Sequence, residues 1–77
     1  MLKNIIEYFV TKLVEKPDGV TVTEIQTAEK TIIEIRVAAQ DLAKVIGKEG
    51  RTFKALRALA NAADPYTQKD IVVDISS

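Results

Sequence analysis

Two of the three glycines in the chain, Gly47 and Gly50, stand three residues apart between two segments with helical patterning. The first segment ends in the apolar pair Val45 and Ile46, and the second is basic and amphipathic. Glycine lets the backbone turn without a Cβ clash and lets a ligand come close. A helix that opens at Gly50 directs free N–H groups and its positive dipole end at the same place. The pattern therefore predicts helix, tight loop and helix, with room for a phosphate at the loop.

The charges of the chain are segregated, although its formal net charge is zero. Residues 44–57 contain five bases and one acid, whereas the rest of the chain contains six bases and ten acids. One face of the molecule is thereby suited to a phosphate backbone while the remaining surface is acidic. The bases are Lys44, Lys48, Arg51, Lys54 and Arg57, and the acid is Glu49. Taken alone, such a run fits a solvated Lys/Arg face better than a binding site.

The residue types needed for most enzymes are missing. Histidine and cysteine are both absent, and the only serines are the terminal Ser76 and Ser77. No catalytic triad, thiol chemistry or usual zinc spacing can be built from this set. The loop also lacks the Gly-Lys-Ser/Thr end of a nucleotide-binding phosphate loop. We expect no enzyme, no metal and no cofactor.

The length of 77 residues predicts one domain, residues 1–77, with a small core. No apolar run approaches the length that spans a membrane, and the N-terminus alternates polar with apolar residues, unlike a signal peptide. We expect a soluble, cytoplasmic protein.

The first half of the chain predicts a helix and two strands. Apolar residues at helical spacing predict an amphipathic helix over residues 2–14 that buries Phe9, and Pro17-Asp18-Gly19 ends it in a turn. Residues 20–27 and 31–38 predict a hairpin of two strands. In the second strand, Ile33, Ile35 and Val37 lie on one face and Glu34 and Arg36 on the other. In the first strand Val20 and Val22 are out of phase with Ile25, and a bulge near Glu24 would restore the alternation.

The second half predicts two helices and a strand. Asp41 is placed to cap a short helix with Leu42, Val45 and Ile46 on its apolar face, ended by Gly47. A second helix over residues 50–63 is expected to bury Phe53, Leu56, Leu59, Ala60 and Ala63 and to end at Asp64-Pro65. The last strand turns Ile71, Val73 and Ile75 inward. The class is α+β, in the order α-β-β-α-α-β.

The stretch Val-Ile-Gly-Lys-Glu-Gly-Arg-Thr-Phe-Lys-Ala-Leu-Arg at 45–57, after two strands and before a third, resembles a K-homology (KH) domain. The leading helix and strand give the order of the type II arrangement. The length and the Pro-Asp turn at 17–18 are similar to those of the small bacterial stand-alone KH proteins of the KhpA (YlqC-like) family. The resemblance covers essentially the whole chain, and residues 47–50 are named the GxxG loop below.

The resemblance implies a three-stranded sheet backed by three helices and a cleft for about four nucleotides of single-stranded RNA. Phosphates would pass over the GxxG loop, with cations beside it and an apolar groove for the bases. In this chain the implied site comprises Gly47, Lys48, Glu49, Gly50, Arg51, Lys54, Lys44, Val45, Ile46, Ile35, Arg36 and Val37. Val45 and Ile46 fit the hydrophobic core equally well, and Arg36 fits a solvated strand position better than base recognition. Glu49 puts an acid in the loop, so modest affinity is expected.

Family resemblance also implies an RNA chaperone or global RNA binder that influences cell elongation and division. It implies pairing with a second copy or with a larger KH-containing protein. Phe53 and the alanines of the last helix offer a close helix contact for a dimer, although they also fit packing on the sheet. The Phe53 ring could instead stack on a base. Two other functions remain open: helix-turn-helix binding to duplex DNA, and a pure interaction module whose KH groove has become a dimer surface.

Overall fold

The computed structural model describes residues 2–64 and 67–77 and has the predicted order of elements. Pro65, which was expected to end the last helix, lies outside the described residues. Within the described part of the chain, no helix has the length and apolar character needed to cross a bilayer. The elements are α1 (Leu2–Leu13), β1 (Thr21–Gln26), β2 (Lys30–Arg36), α2 (Leu42–Ile46), α3 (Arg51–Ala63) and β3 (Asp70–Ser76).

The three strands form one mixed sheet with β2 in the centre. β1 and β2 are antiparallel neighbours, as the predicted hairpin requires, and β3 runs parallel to β2. The parallel pair is possible because α2 and α3 carry the chain back to the start of the sheet. The α+β class, the three-stranded sheet and the three helices are therefore confirmed.

The hydrophobic core lies between the sheet and the helices. Ile33, Ile35 and Val37 are almost fully buried, so the alternation read from the second strand is confirmed. The other buried apolar side chains come from every helix and from both outer strands: Leu2, Ile6, Val10, Val22, Val45, Leu56, Ala60 and Val73. Ala63, which was expected in this set, is exposed and borders an open cavity with Gln26 and Thr31 of the sheet instead of packing in the core.

The burial pattern of α1 differs from the prediction. Phe9, which was expected to be buried, and Leu13 remain 45% and 40% exposed, while Val10 is fully buried. The apolar residues of α1 cover more of the helix circumference than one sheet face can cover, so part of them stays at the surface. The result is an exposed apolar strip along α1.

The predicted bulge in β1 is wrong. Pairing of β1 with β2 is continuous from Thr21↔Arg36 to Gln26↔Thr31. The strand keeps its regular alternation, so Glu24 lies on the helix side of the sheet and Ile25 lies 39% exposed on the open face. The Glu24 Oε1 accepts a hydrogen bond from the Lys3 N–H at 3.2 Å, so Glu24 serves a free backbone donor at the start of α1.

Asp41 does not cap α2 as expected. Its side chain is fully buried and makes no capping bond to α2. Instead, its two carboxylate oxygens accept the backbone N–H groups of Glu15 at 3.1 Å and Lys16 at 3.0 Å. The carboxylate therefore holds the turn after α1 against the start of α2 and satisfies two partly buried backbone donors on that turn.

Candidate nucleic-acid interface

Gly47 ends α2 and fixes the start of the GxxG loop. Its N–H donates to the Ala43 carbonyl at 2.8 Å, and its φ of +78° with ψ of 173° belongs to a region that only glycine adopts readily. A Cβ at this position would lie 2.3 Å from the Thr52 Oγ1 and 2.9 Å from the Thr52 backbone nitrogen. Glycine is therefore required here both by conformation and by contact with α3.

The rest of the loop is one turn of 3-10 helix, Lys48–Gly50, closed by a 3.1 Å hydrogen bond from the Gly50 N–H to the Gly47 carbonyl. Glu49 has a φ of +57° and is the one non-glycine residue with positive φ in the described chain. Gly50 also has positive φ, but an added Cβ would meet no atom within 4 Å. The side of the loop at Gly50 is therefore open, so a ligand backbone could approach it closely.

Positive charge surrounds this open side. Helix α3 begins directly after Gly50, so the first N–H groups of the helix and its positive dipole end point at the loop. Lys48, Arg51 and Lys54 are exposed on the loop and the first turn of α3. A phosphate at Gly50 would therefore lie beside backbone donors and exposed cationic side chains, which is a suitable environment for an anion.

Acidic or aromatic neighbours engage three of the five bases. Lys44 forms an ion pair with Glu15, and the Arg51 guanidinium lies 4.0 Å from the Glu49 carboxylate. Arg57 stacks over the Phe53 ring, with 5.9 Å between the guanidinium carbon and the ring centroid. Within residues 2–64 and 67–77, neither Lys48 nor Lys54 has an acidic partner within 4.0 Å. The loop region therefore presents less free positive charge than its base count suggests.

The structure places the predicted site residues in three regions: the surface at the loop, the hydrophobic core and the open face of the sheet. The GxxG loop, Arg51, Lys54, Lys44 and Ile46 lie together on the helix, loop and helix segment, with Ile46 partly exposed beside Gly47. Val45 is fully buried, so of its two interpretations the structure favours the core. Ile35 and Val37 are 1% and 3% exposed and form part of the same core.

Arg36 is separated from the loop. It alternates with Ile35 and Val37, so its side chain lies on the open face of the sheet, opposite the helices. There it borders a shallow cavity together with Thr21, Thr23, Glu34 and Ser76. A direct contact of Arg36 with a ligand bound at the loop would need that ligand to pass around the sheet.

Sequence reasoning missed the roles of three residues around the loop. Thr52 is the neighbour that requires glycine at position 47, and Glu15 is the acid that pairs with Lys44 from 29 residues away. Asp41 holds the segment that carries Glu15. The sequence showed Asp41 as a candidate helix cap, but its actual hydrogen-bond partners depend on tertiary contacts. Across the described residues, no three Asp or Glu side chains converge to hold a metal ion.

A second feature near the loop is an apolar groove of about 320 Å³ between α1 and α3. Its walls include the exposed Phe9 and Leu13 of α1 and the partly buried Leu59 of α3. Phe53, for which core packing, base stacking and a dimer contact were all open, is partly buried and packs against the core cluster.

Comparison with known proteins gives a consistent result over nearly the full length. A family model described as the KH domain of KhpA/KhpB matches residues 3–75. The chain is 40% identical to the RNA-binding protein KhpA of Clostridium perfringens over 74 residues, covering 96% of this chain and 99% of that protein. It is 42% identical to the protein of that name from Aquifex aeolicus, covering 96% and 94% of the two chains. Over 58 residues it is 47% identical to the RNA-binding protein KhpA of Chlamydia trachomatis, covering 75% and 74%.

Proposed function

The chain belongs to the KhpA/KhpB family of KH domains, and on that premise we propose that it binds single-stranded RNA through the GxxG loop. The observation that carries the proposal is the open, positively charged side of the loop at Gly50, where α3 begins. The name of the relatives, RNA-binding protein, supports RNA as the ligand.

In this proposal the phosphates of about four nucleotides follow the loop while the bases lie toward Ile46. Lys48, Arg51 and Lys54 supply the charge, and the N–H groups at the start of α3 supply hydrogen-bond donors. Lys44 contributes charge from the preceding turn. Ile35, Val37 and Val45 act through the core that supports α2, since they have almost no exposed surface.

The proposed biological role is that of an RNA chaperone or post-transcriptional regulator with an influence on cell elongation and division. Helix-turn-helix reading of duplex DNA is the less favoured alternative. Helix α2 is only five residues long, and strands β2 and β3 flank the helix pair along the chain, which is unlike a helix-turn-helix motif.

Replacing Glu49 with lysine tests whether phosphates pass over the loop. The Glu49 carboxylate is exposed and lies 4.0 Å from Arg51, so E49K removes a repulsion and frees a cation without disturbing the core. We expect RNA binding to tighten by roughly 0.5 to 1.5 kcal/mol at low salt, with the gain shrinking as salt rises. Fluorescence anisotropy with labelled single-stranded RNA measures the effect. The neutral variant E49Q should give an intermediate gain, and unchanged or weaker binding by E49K would place the phosphates elsewhere.

We also propose that the protein pairs through the groove between α1 and α3, either with a second copy or with a larger KH-containing protein. The exposed apolar strip of α1 borders this groove, and the exposed Ala55 of α3 lets another helix approach closely. A chain with so small a core gains stability by covering apolar surface of this kind.

Leu13→Glu should convert the protein to a folded monomer. Leu13 is 40% exposed, so the charge disrupts a contact with a partner while the core remains intact. Sedimentation velocity at high micromolar concentration measures the mass. Ile25→Glu is the matched control, because Ile25 is 39% exposed but lies on the open face of the sheet. A monomeric wild-type protein would contradict pairing with a second copy, and dimers of both variants would contradict the proposed surface.

A further inference from the structure

The turn between α1 and β1 carries an acid to the neighbourhood of the loop. The fully buried carboxylate of Asp41 accepts hydrogen bonds from the consecutive N–H groups of Glu15 and Lys16, one on each oxygen. Two hydrogen bonds to one buried carboxylate restrict both the position and the direction of this turn. The location of Glu15 is thus set by a residue directly before α2.

The Glu15 side chain in turn pairs with Lys44. Lys44 lies on α2 three residues before Gly47, so its side chain and the start of the GxxG loop lie on the same side of the helix. Both members of the pair are therefore anchored to one segment, residues 41–44, which leads directly into the loop. The other acid contact at the site, between Glu49 and Arg51, joins residues two apart and needs no such anchoring.

We propose that the Glu15 carboxylate competes with RNA phosphate for Lys44, and that Asp41 is the positioning residue that keeps Glu15 in place. This inference rests on the proposed RNA-binding function and adds a residue that limits its affinity. A phosphate that reaches Lys44 must displace the Glu15 carboxylate, and the displaced carboxylate stays close because its backbone is held. An anionic ligand that binds only at Lys44 is therefore disfavoured, because the repulsion from Glu15 must be offset by contacts elsewhere.

Removing the Glu15 charge should therefore tighten RNA binding. We expect Glu15→Gln to raise the affinity for a labelled poly-uridine RNA by roughly two- to fivefold at low ionic strength, because exposed pairs contribute at this level. The gain should disappear at about 0.5 M salt, where the Debye length is only a few ångströms. In a Lys44→Gln background the same change should add nothing, since the cation for which the two anions compete is gone.

The matched control is Glu29→Gln, an equal change in net charge on the exposed hairpin turn, away from α2 and the loop. Equal affinities of E15Q and E29Q, or a gain of E15Q that persists with K44Q, would overturn the competition. Asp41→Asn should release Glu15 and give part of the same gain, which a purely structural role of Asp41 would not produce. Absence of RNA binding by every variant would instead overturn the proposed function, and this inference with it.

Discussion

The double variant Lys48→Asp with Glu49→Asp should lose detectable binding to single-stranded RNA while its thermal unfolding stays cooperative. The change replaces a cation by an anion at the point where phosphates are proposed to pass, at a cost of about 2 to 3 kcal/mol in binding free energy. Both side chains are exposed, and aspartate tolerates the positive φ of position 49 better than glutamate does. Anisotropy titration and circular dichroism melting measure the two effects separately.

A matched control for this variant is Glu29→Asp with Lys30→Asp. It makes the same two replacements at exposed residues of the hairpin between β1 and β2. The control should bind RNA nearly as well as the wild type. Equal weakening in both variants would indicate a general charge effect, and loss of the cooperative melt in the loop variant alone would indicate that the loop is structural.

The two loop glycines should differ sharply in their tolerance of alanine. Gly47→Ala should lower the free energy of unfolding by about 2 to 4 kcal/mol, because the new Cβ meets both the Thr52 side chain and its backbone nitrogen in a conformation that disfavours alanine. Gly50→Ala meets no neighbouring atom and should lose only about 1 kcal/mol from its left-handed conformation. Urea denaturation measures both values.

RNA affinity adds a second contrast between these variants. Gly50→Ala should weaken RNA binding more than its small stability loss explains, because its methyl group occupies the open side of the loop. Gly47→Ala should displace α3 relative to α2 and weaken binding through the altered loop. Equal stability losses at the two positions would contradict the contact between Gly47 and Thr52.

The fold was largely predictable because its patterns are local and strong. Ile33, Ile35 and Val37 alternate without exception, and Gly47 stands where both a helix end and a loop start require it. The order of elements then leaves few ways to pair three strands. The helix, loop and helix at the candidate site was predictable for the same reason.

The remaining features depend on contacts between residues far apart in the chain. Glu24 was assigned to a bulge, but it bonds to Lys3, and Asp41 was assigned to α2, but it bonds to Glu15 and Lys16. Which apolar residues of α1 stay exposed depends on how much of the helix the sheet covers. No pattern within the segment shows these partners.

The alternation of the second strand predicted the placement of Arg36, opposite Ile35 and Val37. Successive residues of a strand point to opposite faces, so Ile35, Arg36 and Val37 could not all line one groove. The resemblance to KH domains grouped them because it assigns a strand to the cleft rather than individual side chains to a face. The structure separates Arg36 from its two neighbours.

The most direct measurement is a side-by-side titration of labelled single-stranded RNA and duplex DNA over a range of salt concentrations. With on the order of three phosphates neutralised, the logarithm of the RNA association constant should fall against the logarithm of salt with a slope near −2. Single-stranded RNA should bind more tightly than duplex DNA at every salt concentration. A slope indistinguishable from zero, or tighter binding to duplex DNA, would contradict single-stranded RNA binding at the GxxG loop.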